Sequence, residues 1–600
     1  MLEPPAVAAS QASVLAVVKR FQGVLASPRA QRAWSWLSVV AIAAVTAAYL
    51  SVWTAGNWEM LSDPKLQNSD ARTVTFVFHR YDRDPALEHD PIAAEMLSYV
   101  PVAIHALYRV LVPMTDVFVA PKIVQALCVA IVLWAAAVVA RSRRAGLGAG
   151  AFLLFVVLHD WFAVYRLASG LPRAFGFPLF ALWLAGVLAA KRRIRMGAAF
   201  AAALTYPSVM NLILAAEGIY ACRHVGAIPL HVTVRRLKRY AILVACCALA
   251  LVPSMLAGQD NGPVHTLAQA EQEPAFGRSG RLHVLPFDSP TETMGDAFID
   301  PLRPRGVPLV SGLGELYARD RDMSAVLLVG LLLLLPLLSI TKVPWLALAF
   351  SSGSVVLYWL SRAFAFRLYS PERYYSFGMR MALMVLLALL LAQSFAFLRG
   401  RTRSTARNFL AAGLILLVWS FVGSGVVRKN GMTIDQRRDV GLHQFIAKLP
   451  KDVRIASHPL DGDGIPYYSA RATMGTYETL QPWFVDAWRR QRARTGDTLR
   501  ALYATDLDRI VDYCRRNRVT HFLIDKKKYK GDIVKRSASF EPFTLEAKAI
   551  LADVNTDDLV FRNVPESAIV YQKGTWLLVD VTHLGDAPES EEREQESAEP

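Results

Sequence analysis

Cysteine is scarce, five residues in 600, with Cys128, Cys222, Cys246 and Cys247 in or beside apolar stretches and only Cys514 in polar sequence. That supply excludes a disulfide scaffold. Charge is scarce too, at 19% of residues, and the hydrophobic share of 54% with a mean hydropathy of +0.29 excludes a wholly soluble chain. Gly (35) and Pro (32) are too few for a collagen-like or low-complexity protein. The sequence has no phosphate loop ending in GK[ST], no CxxC pair, no HExxH and no internal repeat. ATP-driven transport, a zinc site and a zincin protease therefore lack their signatures.

What the chain has in quantity is long apolar runs. A bilayer core about 30 Å thick needs roughly 20 apolar residues per helix, and nine runs approach that length: Trp34 to Ala55, Val119 to Ala140, Gly148 to Arg166, Arg173 to Ala190, Tyr240 to Ala257, Ser324 to Ile340, Val343 to Ser361, Gly378 to Leu398 and Asn408 to Val427. The net charge of +16 would suit a nucleic-acid binder, but the basic residues sit in clusters between these runs, at Arg141 to Arg144, Lys191 to Arg195, Arg235 to Arg239 and Arg399 to Arg403. That is the positive-inside pattern of a membrane protein, and no nucleic-acid partner is expected. Residues 1–33, with Lys19, Arg20, Arg29 and Arg32, are expected in the cytoplasm, ahead of a first span too long and too far from the terminus for a cleaved signal.

Segment 197–220 is apolar but flanked by basic clusters, with Tyr206-Pro207 near its middle, so a re-entrant pair of half-helices broken at the proline is expected. The transmembrane part then covers 34–427 and leaves the chain outside at its end. Ala93 to Met114, carrying Glu95, His105 and Arg109, reads as an interfacial helix. Outer loops fall at 56–118 and 258–323. Region 428–585 reads as α/β, with strands at Val453 to His458 and Val519 to Asp525, a helix at Leu507 to Arg516 and a hairpin turned by Lys573-Gly574. The acidic tail 586–600 reads as disordered.

The first outer loop holds two carboxylates about twenty residues apart, Asp70 in SDAR and Asp90 in HDP, with Arg72, His79, Arg80, Asp82, Arg83, Asp84 and Glu88 between them. Such a loop can assemble a general base beside cationic anchors, although exposed loops are also simply charged. His159-Asp160, near the end of an apolar run, are ionisable groups where burial is costly and suggest a substrate cavity. In the C-terminal region, DGDG (Asp461 to Gly464) lacks the bidentate Glu of a calcium loop and reads as a glycine-rich turn. Ile465 to Glu478 is aromatic enough to stack on sugar rings, and Lys526 to Lys530 reads as a solvated basic patch.

One cytoplasmic-to-outer span, an acidic outer loop, an amphipathic stretch, many uneven spans and an outer α/β domain make an order of parts that resembles the GT-C superfamily of membrane glycosyltransferases. The resemblance implies a polytopic α-helical membrane protein, GT-C-like, with a C-terminal extracytoplasmic α/β domain, in a bacterial inner membrane with that domain in the periplasm. It implies a polyprenyl-phosphate-linked sugar as donor and an envelope glycan, glycolipid or protein as acceptor, with a hexosyl or pentosyl group transferred with inversion. Asp70, the acid nearest the first span, matches the family's catalytic carboxylate, and Asp90 its second acidic position. Ser69 stands where several families have a further acid, so a divalent cation, Mg or Mn, is left open. A departing lipid phosphate also needs cations at the membrane boundary. Arg173, and Arg373, Tyr374 and Arg380 in Arg367 to Arg380, are the candidates, set against an interfacial aromatic belt with snorkelling arginines. Arg72, His79, His159, Asp160 and Tyr206 are expected to line the substrate cavity. The rival readings are a transporter or flippase for a lipid-linked glycan, which would favour a two-half symmetry not visible here, and a non-catalytic membrane scaffold.

Overall fold

A computed structural model describes residues 28–64, 66–142, 150–151, 153–154, 157–158, 161–222, 229–287, 345–364, 366–368, 370–371, 373–374, 376–378, 380–382, 433–435 and 439–585. The expected spans Ser324 to Ile340 and Asn408 to Val427, most of Gly378 to Leu398, the pair His159-Asp160 and the tail 586–600 lie outside the described residues.

The helical part opens with α1 (Pro28–Ser62). Tyr49, Trp53 and Met60 are buried along one side of α1, where the Trp53 indole donates to the Leu158 carbonyl at 2.9 Å, while Trp36 and Trp58 stay exposed. A short strand β1 (Leu66–Asn68) leads directly into helix α2 (Ser69–Thr75) and a 3-10 turn, Phe76–Tyr81. Next come α3 (Pro91–Ser98), α4 (Val102–Met114), α5 (Ala120–Ala140), α6 (Trp161–Leu167) and α7 (Gly176–Leu188). Helices α8 (Arg192–Thr205), α9 (Pro207–Ala221), α10 (Leu230–Ala257), α11 (Leu267–Gln272) and α12 (Trp345–Ala363) complete this part. By length and composition, Ala120–Ala140 and His231–Ala257 are the helices among the described residues able to cross a membrane.

Segment 197–220 is broken at one residue. Tyr206, at φ −145° and ψ 86°, leaves the helical region between α8 and α9, and Pro207 opens the second helix at the position where its missing N–H costs nothing. In an unbroken helix Arg195 and Glu217 would stand about 33 Å apart. Here the Arg195 Nε donates to Glu217 Oε1 at 2.9 Å and its terminal nitrogen pairs with Oε2, while the Trp183 indole donates to the same Oε1 at 2.8 Å. The two helices therefore turn back on one another, with Tyr206 at the tip and a bidentate ion pair closing the open end.

The C-terminal domain carries a five-stranded sheet in the order β4-β3-β5-β7-β6. Its strands are β3 (Arg454–Ser457), β4 (Ala472–Thr473), β5 (His521–Asp525), β6 (Ile569–Lys573) and β7 (Trp576–Asp580). β3 runs parallel to both β4 and β5, and β7 is antiparallel to β5 and β6. Gly574, at φ +60°, turns the hairpin at the expected position. Strands β3, β5 and β7 alternate. Ala456, Phe522, Ile524, Leu577 and Val579 face one core with α14 (Val485–Leu502), α15 (Leu507–Asn517) and α17 (Phe543–Ala552), and Ile455, Leu523 and Leu578 face another with α13 (Val440–Lys448). A four-residue helix, α16 (Ile533–Arg536), lies between β5 and α17. The domain is a three-layer α/β sandwich.

The hairpin's ion pair sets a prediction. Glu217→Leu leaves the Arg195 guanidinium uncompensated and should cost roughly 2 kcal/mol, somewhat under the cost for a fully buried pair because Arg195 keeps partial solvent access. The loss should appear as a fall in the thermal unfolding midpoint in detergent, and Arg195→Met combined with Glu217→Leu should recover most of it. An unchanged midpoint in the single variant would mean the ion pair does not hold the hairpin.

Candidate functional site

The first loop is pinned to the C-terminal domain before any functional side chain is considered. β1 pairs antiparallel with β2 (Thr433–Asp435), Leu66 opposite Asp435 and Asn68 opposite Thr433. The backbone of α2, with Asp70 as its second residue, follows that pairing without a linker. Asn68 also donates from its side chain to the Tyr165 carbonyl of α6 at 3.2 Å, and Gln67 to the Phe118 carbonyl at 3.1 Å.

Farther along, a π-helical turn at Ile465–Ser469 drives Tyr467 between the two parts. Its ring is fully buried and meets Phe118 edge-on at 5.2 Å, and its backbone carbonyl accepts from His79 Nε2 at 2.7 Å. His79 Nδ1 is 2.6 Å from the Asp82 carboxylate, so each nitrogen of this buried ring faces an oxygen on a different element. The aromatic stretch read as a sugar platform is thus a wedge, at least at Tyr467, because a fully buried ring has no face left for a sugar. Two ion-pair groups flank it. Lys451 pairs with Asp84 at the surface, and Glu95 on α3 takes Arg490 Nε at 3.0 Å and Arg494 at 3.1 Å, both from α14.

Asp90 stands at the N-cap of α3. Its Oδ2 accepts from the Ala93 amide at 3.0 Å, ahead of Pro91 at the first helical position. Its Oδ1 is buried without a hydrogen-bond partner among the described residues, and burial raises its pKa. The cap explains why an acid is found at this position. Arg72 is buried two residues after Asp70.

The hairpin tip gathers the cationic candidates. Arg173 lies in a 3-10 turn, Pro172–Phe175, that feeds α7. A Cβ on Gly176, the next residue after that turn, would stand 3.2 Å from the Tyr206 ring and 3.4 Å from the Phe377 ring, so the start of α7 packs closely on the tip. Arg373 donates to the Tyr206 hydroxyl at 3.2 Å. Tyr374 donates to the Leu368 carbonyl at 2.7 Å and accepts from Asn211 of α9 at 2.9 Å, and Arg380 is buried a little farther along. Tyr206 and Arg373, far apart in sequence, therefore meet at the tip, and the turn that carries Arg173 leads into the helix start packed against it, a phenol and an arginine suited to an anionic group. Among the described residues no three His, Cys, Asp or Glu side chains converge as metal ligands, and no step below passes through a cation.

Sequence reasoning missed two networks. Lys528, read as part of a solvated patch, is half-buried and donates to Asp461 at 2.8 Å and to His458 Nδ1 at 2.6 Å, which ties the DGDG turn to the end of β5. Only the tertiary fold reveals this. Glu217, by contrast, carried its own signal as an acid inside an apolar run.

Fold and site together define a helical body whose α8–α9 hairpin meets Arg373 at its tip, joined through its first loop to an α/β domain. No protein-family model and no curated protein matches the chain. Among solved structures it is similar to ArnT from Cupriavidus metallidurans in the apo state, at 14% identity and a TM-score of 0.45, over 93% of this chain and 100% of that one. The same protein bound to undecaprenyl phosphate gives 12%, a TM-score of 0.45, 90% and 98%. The apo oligosaccharyltransferase of Archaeoglobus fulgidus gives 10%, a TM-score of 0.45, 85% and 72%.

The C-terminal domain should be acid-labile. Burial, with the Arg72 charge adding to it, pulls His443 down to about 4, and burial with Lys528 pulls His458 down to about 3. The unfolded chain takes up these protons near pH 6.5, so the stabilisation is complete above that pH and is lost as the pH falls toward 4. Asp461 opposes this in part, because burial raises it to about 6 and the folded domain binds that proton first. Thermal unfolding between pH 7 and 4 should show a falling midpoint, and His443→Asn should flatten the fall. A midpoint that rises on acidification would contradict the assignment.

Proposed function

We propose that the protein is an integral-membrane glycosyltransferase that moves a sugar from a polyprenyl-phosphate donor to a glycan, glycolipid or protein acceptor on the outer face of a bacterial inner membrane. The observation that carries this reading is the meeting of Arg373 with the Tyr206 hydroxyl at the tip of the α8–α9 hairpin, against which the start of α7, just after the turn that carries Arg173, also closes. A cationic site on a re-entrant tip is what a lipid phosphate lying in a bilayer requires.

Membrane insertion is supported by two features of this chain. In the most apolar stretch of His231–Ala257 only 11% of residues are buried within the protein, leaving an apolar helix surface that water would not tolerate at that length. Trp36 and Trp58 on α1 are 72% and 60% exposed and stand about 33 Å apart along the helix, close to the thickness of a hydrocarbon core bounded by aromatic belts.

In the proposed reaction Asp70 takes the proton from the acceptor hydroxyl while that oxygen attacks the anomeric carbon. The bond from that carbon to the lipid phosphate oxygen breaks, the configuration inverts, and the phosphate leaves as an anion toward Arg173 and Arg373, with Tyr374 and Arg380 beside them. Asp90 serves this site from its cap by fixing the start of α3, and Arg72 and His79 border the acceptor side.

The test is sugar transfer by the purified protein in lipid, offered a panel of polyprenyl-phosphate sugars. Asp70→Asn should lower transfer about a hundredfold or more while donor lipid still binds; full activity in that variant would remove Asp70 from the base role. Arg373→Ala should weaken donor binding more than acceptor binding, and unchanged donor affinity would remove the phosphate assignment.

A further inference from the structure

Several buried or half-buried arginines among the described residues are visibly committed. Arg195 pairs with Glu217, Arg281 with Glu478, Arg494 with Glu95, and Arg471 donates to the carbonyls of Leu449, Ser469, Ala470 and Ala447. Arg72 differs. It is 9% exposed, its Nε is buried with no acceptor, and its guanidinium enters no hydrogen bond or ion pair with any described residue. A guanidinium stays charged at any physiological pH, so it cannot relieve the cost of burial by losing its proton. A largely buried charge held in no direct ion pair is costly for a fold to retain.

The groups near enough to feel the Arg72 charge are His443 and Asp463, both from the C-terminal domain. Neither completes it. His443 is a neutral ring facing the Ser469 hydroxyl at 3.3 Å, and Asp463 accepts from the Glu478 amide at 3.1 Å and from the Thr476 side chain. The planar fork of Arg72 therefore lies at the seam between the first loop and the C-terminal domain, two residues from Asp70 and on elements other than those that form the hairpin tip.

We propose that Arg72 anchors an anion subsite for the acceptor, so that the acceptor carries an oxyanion, a phosphate or a carboxylate, close to the hydroxyl that is glycosylated. The inference rests on the glycosyltransferase reading and adds the acceptor's charge to it. The guanidinium fork takes two oxygens of such a group and holds the neighbouring hydroxyl near Asp70. The donor phosphate keeps its own arginines at the tip, which leaves Arg72 for the second substrate.

The test uses the full chain in lipid nanodiscs containing a polyprenyl phosphate, titrated with methyl phosphate, glucuronate and neutral methyl glucoside. At least one of the two anions should bind the wild type while methyl glucoside does not, and the one that binds separates a phosphate-bearing from a carboxylate-bearing acceptor. Affinity should fall tenfold or more in Arg72→Gln and be largely kept in Arg72→Lys. Binding of neither anion, or equal binding by wild type and Arg72→Gln, overturns the proposal. A second variant guards against misfolding: ligand-free Arg72→Met, which removes the orphan charge, should unfold at or above the wild-type temperature. A drop of several degrees would make Arg72 a structural residue and overturn the proposal as well. Binding of the polyprenyl phosphate itself, read separately, tests the glycosyltransferase reading, which fails if the wild type does not bind it, whatever the anions do.

Discussion

The arrangement depends on a buried imidazole that faces two oxygens. His79 meets the Asp82 carboxylate on its own loop and the Tyr467 carbonyl of the C-terminal domain. Without that bridge a fully buried ring and a loop rich in charge would have to be brought together by packing alone. With it, the first loop acquires one conformation under the C-terminal domain, and α2, which carries Asp70, inherits that conformation through the β1–β2 pairing. A base that must meet a lipid-borne substrate needs this kind of support, because catalytic geometry is lost over distances smaller than the freedom of an unpinned loop.

The hairpin applies the same logic to the other substrate. A break at Tyr206 frees backbone groups that would be costly in an apolar surrounding, and the structure limits the damage to one residue, whose amide still closes onto the Ala202 carbonyl at 2.8 Å. The Arg195 and Glu217 pair lies at the far end from the tip. Stability is thus concentrated where no chemistry is proposed, and the tip is left with polar side chains whose hydroxyl and guanidinium groups face one another.

Much of this was legible in the sequence where a local rule decides the outcome. Pro207 announced the helix break, Lys573-Gly574 announced the hairpin, and the apolar run from Val519 to Asp525 announced a strand. What stayed hidden was set by partners distant in the chain. Lys528 looked solvated because its neighbours are lysines, yet Asp461 and His458 reach it from more than sixty residues away. Tyr467 looked like a sugar platform because aromatic, polar and glycine residues mix around it, and only the π-helical turn aims it inward. The candidate site was legible as residue types, arginines and carboxylates on particular loops. The pairing of Arg373 with Tyr206, the capping by Asp90 and the lack of a partner for Arg72 needed the tertiary structure.

Helix α1 also acts as a depth gauge. Trp58 lies four residues before the end of α1, about 6 Å of helical rise, and β1 and α2 follow almost at once. On the membrane reading, the tryptophan fixes the level of the headgroups and the chain has too little length to lift Asp70 far above it. An acceptor held on a long, water-extended arm would have to bend back to the bilayer surface to react, whereas one whose hydroxyl already rides at headgroup height meets the carboxylate without reorienting. On the proposed function, the short distance between a tryptophan and a strand would select acceptors by altitude.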